Sequence, residues 1–169
     1  MSHLKYYAYE GVGVRNREMY KYSQAVRVGD RIQCSGQGES PNTSRQEGVE
    51  HAASSSFTNS LSDMRGKAAG TMTARSRQKI NAQIDCAFAN VEKNLKDAGG
   101  KGWSQVFRVD SYHVPLDDEA PAAMIRNFAK YMPDHQPIWT CVGVPRLGEE
   151  AMKVEFAVVA HDPEGAKTA

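Results

Sequence analysis

The sequence has no long hydrophobic run: its unbroken apolar stretches end after about five residues, as at Phe156 to Ala160, whereas a helix needs roughly 20 to cross a bilayer. A membrane-spanning helix is excluded. It also has little charge of one sign in excess, with Lys plus Arg at 21, Asp plus Glu at 20 and a net charge of +1. No chain-wide field therefore draws it to nucleic acid or to an anionic membrane. Cysteine is scarce. Cys34, Cys86 and Cys141 are an odd number at wide spacing, with neither a CxxC pair nor a disulfide framework, which suits a reducing compartment. The histidines (His3, His51, His113, His135 and His161) form no HxH or HExxH pattern, so no metal is expected. The opening Met1-Ser2-His3-Leu4-Lys5 lacks a basic stretch followed by an apolar one, and the expected location is the cytoplasm.

What is present is enough apolar material, 40% of 169 residues, to bury the core of one domain spanning 1–169. Gln24 to Val28 and Arg31 to Ser35 alternate in character around Gly29-Asp30, the pattern of a tight hairpin. From about 39 to 78 the chain turns rich in Ser, Thr and Gly with no sustained period, which reads as an inserted loop that is functional or packs on something. Ile80, Ile84, Ala87, Phe88, Val91, Leu95 and Ala98 then recur at helical spacing, and Gly99-Gly100 supplies the stop. Val106 to Val114 reads as a strand. Asp117-Asp118-Glu119 opens a second helix with Pro121 in its first turn and an expected apolar face of Ile125, Phe128, Ala129 and Met132. Ile138 to Val144 and Met152 to His161 read as closing strands.

The resulting order predicts an α+β fold, a mixed sheet with two helices on one face. No helix remains for the other face, and closed oligomerisation is the economical way to cover it.

Tyr22-Ser23-Gln24-Ala25-Val26-Arg27-Val28-Gly29-Asp30, followed by Cys34-Ser35-Gly36-Gln37, resembles the opening of the RidA/YjgF family of imine and enamine deaminases. Asn90 to Gly99 is similar to that family's first helix, and Pro137 to Val144 with Lys153-Val154-Glu155 to its closing strands. The resemblance implies a chorismate-mutase-like homotrimer with small-molecule pockets between subunits, where reactive imino or enamine acids are hydrolysed without metal or cofactor. It assigns Tyr22, Ser35, Gly36, Cys141 and Glu155 to the pocket. Two positions depart from the pattern: Trp139 stands where the family has a carboxylate-binding Arg, and Ile125 where it has Asn.

An indole offers one neutral donor, whereas an Arg offers two charge-assisted bonds to a carboxylate. The substrate expected is therefore not a simple 2-imino acid, with Trp139 either stacking on it or merely filling an interface. Arg146 is the one nearby substitute. Glu155 is read as a general base for water or as half of an inter-subunit salt bridge, and Cys141 as a pocket thiol or an inert buried one. Trp139, Cys141, Tyr22 and Glu155 are expected to converge on one inter-subunit cleft, the last two strands pairing like a hairpin. Alternatives are a non-catalytic binding or scaffold trimer and an endoribonuclease. For the latter, the basic residues Arg65, Lys67, Arg75, Arg77 and Lys79 are interspersed with acids, and nucleic acid is not an expected partner.

Overall fold

The computed structural model describes residues 2–39 and 79–168. The insertion expected at 39–78, apart from Glu39, and the basic residues Arg65 to Arg77 lie outside them. The described chain forms strands β1 (Lys5–Tyr7), β2 (Ala25–Val28), β3 (Arg31–Gln37), β4 (Val106–His113), β5 (Ile138–Gly143) and β6 (Val154–His161). With them come helices α1 (Val12–Tyr20), α2 (Ile80–Asp97), α3 (Glu119–Tyr131) and α4 (Pro163–Ala166). The six strands lie in the order β1-β2-β3-β6-β4-β5. All neighbours are antiparallel except β4 and β5.

Alternation fixes the two faces of the sheet. Val154, Phe156, Val158 and Ala160 are fully buried, and Glu155, Ala157 and Val159 between them are only half-buried. Since cross-strand partners share a face, the first set joins Ile32, Cys34, Val109 and Ser111 under the helices. The helical periodicity of α2 is realised: Ile84, Ala87, Phe88, Val91 and Leu95 are fully buried. Phe88 is their centre, stacked on Trp103 at 4.4 Å and edge-on to Phe156 at 5.2 Å between ring centroids. Asp117 caps α3, its Oδ1 accepting from the Glu119 and Ala120 amides. The buried face of α3 is Ala120, Ala123, Met124 and Asn127. Of the expected face, Met132 is buried and Phe128 packs against the core, whereas Ile125 and Ala129 are exposed and Asn127 turns inward to bond Asp85 and the Ala123 carbonyl.

The β2–β3 hairpin forms as expected, Val28 opposite Arg31. Its Gly29 has φ +60° and Asp30 has no positive φ, the pattern of a type II′ turn. Two elements precede it that the sequence reading lacked, β1 and α1. The two closing strands do not form a hairpin. β4 lies between them, pairing with β5 on one side and β6 on the other, because the stretch between β5 and β6 returns the chain past the central strand. No helix among the described residues is long and apolar enough to cross a membrane.

Candidate functional site

The sequence Ser35-Gly36-Gln37 bends the middle of the sheet. Between Cys34 and Gln37, β3 advances three residues while β6 advances from Val158 only to Phe156. The extra residue makes a β-bulge, a device that re-aims side chains beside functional sites. Gly36 then lies under the side chain of Glu155 on β6, and a Cβ at residue 36 would fall inside the Glu155 carboxyl group. At Gly38 a Cβ would sit 2.7 Å from the Val154 carbonyl oxygen. Glycine is demanded at residue 38 by the approach of backbone, whereas at residue 36 the obstacle is the movable end of the Glu155 side chain.

Above this floor is a cleft of about 320 Å³, at the small end of the range for ligand sites. Tyr22, Gln24, Glu39, Met152 and Glu155 contribute to its walls, and α1 roofs it with Val12, Asn16 and Tyr20. These three are spaced i, i+4, i+8 and so share one helix face. Gly13 lets the roof come down close, a Cβ there meeting Gln24 Cγ at 3.2 Å. Hydrogen bonds fix the walls. Tyr9 Oη donates to Gln37 Oε1 at 3.2 Å, Gln37 Nε2 donates to Gln24 Oε1 at 2.8 Å, and Asn16 Nδ2 donates to Tyr22 Oη at 3.0 Å. Burial, reinforced by the ionisable side chains of Tyr22, Cys86 and Cys34, pushes the Tyr9 phenol up to about 12, so it stays a neutral donor.

Glu155 is the exception to this tidy bonding. Among the described residues no donor or cation pairs with its carboxyl, and burial raises its pKa above the usual carboxylate range. A half-buried, unpaired carboxyl on a cleft is equipped to take a proton from water.

Of the residues singled out from sequence, Tyr22, Gly36 and Glu155 line this cleft. Ser35 lies beside it: its hydroxyl donates to the Gln24 carbonyl at 3.1 Å and it borders a shallower depression with Tyr22 and Cys34. Trp139 and Cys141 are elsewhere in the subunit. They sit on edge strand β5 opposite Val109 and Ser111, hence on the helix-covered face, while Glu155 is opposite Tyr112 on the open one. Trp139 packs edge-on to Phe128 at 5.2 Å and its Nε1 donates to Ser111 Oγ at 2.8 Å. Ile125 is 60% exposed on α3. Within one subunit, then, these three do not meet Glu155.

Arg146 lines a separate depression with Leu147 and Glu150. His113 on β4 is fully buried, its Nε2 at 2.9 Å from Ser111 Oγ and its pKa lowered by burial. His135 Nε2 donates to the Val106 carbonyl. Cys34 is buried, its thiol pushed up to about 12 by desolvation, and is inert by that measure. Among the described residues no group of three or more His, Cys, Asp or Glu could hold a metal ion. Tyr9, Asn16, Tyr20, Gln24 and Glu39 carried no signal in the sequence; Val12, Asn16 and Tyr20 share a helix face, but no apolar stripe marks that helix.

Solved structures with the same fold are numerous. The chain resembles Rv2704 of Mycobacterium tuberculosis, described as a member of the YjgF/YER057c/UK114 family, at 18% identity and TM-score 0.62, covering 94% of this chain and 98% of that one. It resembles protein YJGH at 22% identity and TM-score 0.65, covering 96% and 99%. A third likeness is to an Entamoeba histolytica protein described as a putative endoribonuclease L-PSP, at 20% identity and TM-score 0.56, covering 94% and 98%. No curated protein sequence matches. A family model described as endoribonuclease L-PSP matches residues 15–162, a span that runs from the roof helix to the Asp162 cap, and the chain therefore belongs to the L-PSP family, to which the YjgF and Rid proteins also belong.

Proposed function

We propose that this protein hydrolyses the C=N bond of an imine, or of the imine tautomer of an enamine, at the Gly36–Glu155 cleft, completed in a homotrimer by the β5 edge of a neighbouring copy. The observation that carries the reading is the unpaired Glu155 carboxyl held over the bulge glycine. In the reaction water adds to the carbon of the protonated imine as Glu155 accepts one of the water's protons, giving the neutral carbinolamine. Glu155 passes that proton to the nitrogen, ammonia leaves as the C–N bond breaks, and the hydroxyl proton returns to Glu155 as the C=O bond of the carbonyl product forms. Tyr22 and Gln24 orient the water and substrate. This chemistry needs only water as co-reactant.

The trimer is supported by the sheet face left open in the subunit and by Ile125, Ile138 and Val142, which are 60%, 65% and 38% exposed on or beside the β5 edge. Trp139 and Cys141 lie at that edge, where a neighbour can meet them. Because Trp139 replaces the family's Arg, the substrate proposed is not a simple 2-imino acid. The endoribonuclease reading has the family description in its favour, but a cleft lined by Glu39, Glu149 and Glu155 repels a phosphodiester backbone.

The test generates imines in situ, from primary amines with an amine oxidase and from amino acids with an amino acid oxidase, and follows carbonyl release. The proposal expects release above the uncatalysed rate for at least one carboxylate-free imine. A trimer that accelerates none of them is a binding or scaffold protein instead.

A further inference from the structure

The cleft's electrostatics point to a ligand of definite charge. Its lining among the described residues holds the carboxyl groups of Glu149 and Glu155, with the buried Glu39 engaged in an interaction of its own, and no Lys, Arg or His. Three cations lie close by but outside the lining: Arg15 donates from Nη2 to Asn16 Oδ1 at 3.2 Å, Arg146 borders the neighbouring depression, and Lys93 holds its Nζ 5.0 Å from the centroid of the buried Tyr9 ring. Tyr20 and Tyr22 add two further aromatic rings to the same walls. Tyrosine faces attract cations through the ring quadrupole, and Tyr20 and Tyr22 are 61% and 39% exposed, so their faces remain available to a ligand. An independent feature marks the cleft as a place for a ligand. Gln24, 2% exposed, gives its Oε1 to Gln37, and its own buried Nε2 has no partner. A buried donor without an acceptor is costly; a small rotation of the Gln24 side chain toward the cleft lets an oxygen of the attacking water or of the carbonyl product supply one.

We propose that the cleft selects small organic cations, protonated imines or amines without a carboxylate, and rejects anions. The proposal rests on the reading of this cleft as the reaction site and deepens it. Negative walls stabilise the iminium form, which is the electrophile that water attacks, and they disfavour the 2-imino acids whose carboxylate the missing Arg would have held. The substrate must then come from a reaction that oxidises or dehydrates an amine already lacking its carboxyl group.

The test titrates the full-length protein with benzyltrimethylammonium, benzyl alcohol and benzoate, following backbone amide shifts at Gly36 to Gly38 by NMR and affinity by calorimetry. Benzyltrimethylammonium is expected to bind at least about tenfold more tightly than benzyl alcohol, and benzoate to leave those amides unmoved. The isosteric E149Q/E155Q double variant should erase the preference while keeping benzyl alcohol binding. Y20A should weaken the ammonium probe about threefold, the effect of one exposed cation–π contact. Benzoate moving the same amides at equal or lower concentration, with R15A or R146A abolishing the effect, overturns the cationic class and leaves the cleft as a binding site. If no probe moves those amides, both readings fall.

Discussion

The Glu155 carboxyl occupies the volume that a side chain at residue 36 would need. The two positions, distant in sequence, are joined because the bulge in β3 turns the Gly36 backbone toward β6. Gly36→Ala is therefore expected to keep the fold and to displace the carboxyl, since the end of a glutamate side chain moves more easily than a strand. The check is a ¹³C titration of Glu155: its pKa should fall toward the ordinary carboxylate value, about 4.3, in the variant. An unchanged titration would mean that Gly36 does not hold the carboxyl in its buried position.

Glu155→Gln should raise stability at neutral pH. Burial raises the folded pKa of Glu155, so protonation favours the folded state. As pH climbs from the unfolded value of about 4.3 through the raised folded value, the wild type loses stability that the neutral amide does not lose. Thermal midpoints of the two proteins should lie close together near pH 4 and separate by pH 7, with Gln the higher. A variant that melts lower at pH 7 would indicate that the carboxylate has a partner in the assembly.

Asp162 behaves in the opposite way. Burial alone would raise its pKa, but hydrogen bonds from Arg27, Gln105 and the Gly165 amide outweigh that and hold it below the usual range. The Arg27–Asp162 pair, at 2.7 Å and almost wholly buried, ties β2 to the cap of α4. Asp162→Asn should cost about 3–5 kcal/mol in urea unfolding at pH 7, because it strands a buried guanidinium. The stability that the carboxylate confers is present above about pH 3.9 and is lost as pH falls through the lowered folded value, so the gap to wild type should close in strong acid.

With 2-imino acids the chain should be at least about 10²-fold slower than an Arg-bearing relative, because two charge-assisted hydrogen bonds of roughly 1.5–3 kcal/mol each are missing. Oxidase-coupled keto-acid release measures this. Comparable rates would mean that another cation holds the carboxylate.

Much of the fold was legible because its periods are strong. The apolar residues of α2 from Ile80 to Leu95 and the alternation from Val154 to Ala160 each point to one face without help from distant contacts. The roof helix was not legible: Val12 to Tyr20 contains Gly13 and has no apolar stripe, being shaped by the cleft beneath it. The same limit explains Ile125, which is exposed while Phe128 and Met132 of the expected face pack inward and Asn127 turns toward Asp85. Of the candidate site, Tyr22, Gly36 and Glu155 were found through the resemblance. The separation of Trp139 from Glu155 was not foreseen, because strand order depends on which neighbour β4 selects and not on the local pattern of β5 or β6.

The central claim is that Glu155 takes the proton from water in C=N hydrolysis. It is tested most directly by kcat and KM for a carboxylate-free imine, measured from pH 4 to pH 8 for wild type and Glu155→Gln. The account predicts that the wild-type rate rises with pH on a limb set by a pKa above the ordinary glutamate value, and that the variant loses this limb and about 10²-fold or more in kcat with KM nearly unchanged. Equal kcat in the two proteins, or a limb that survives the substitution, would contradict it.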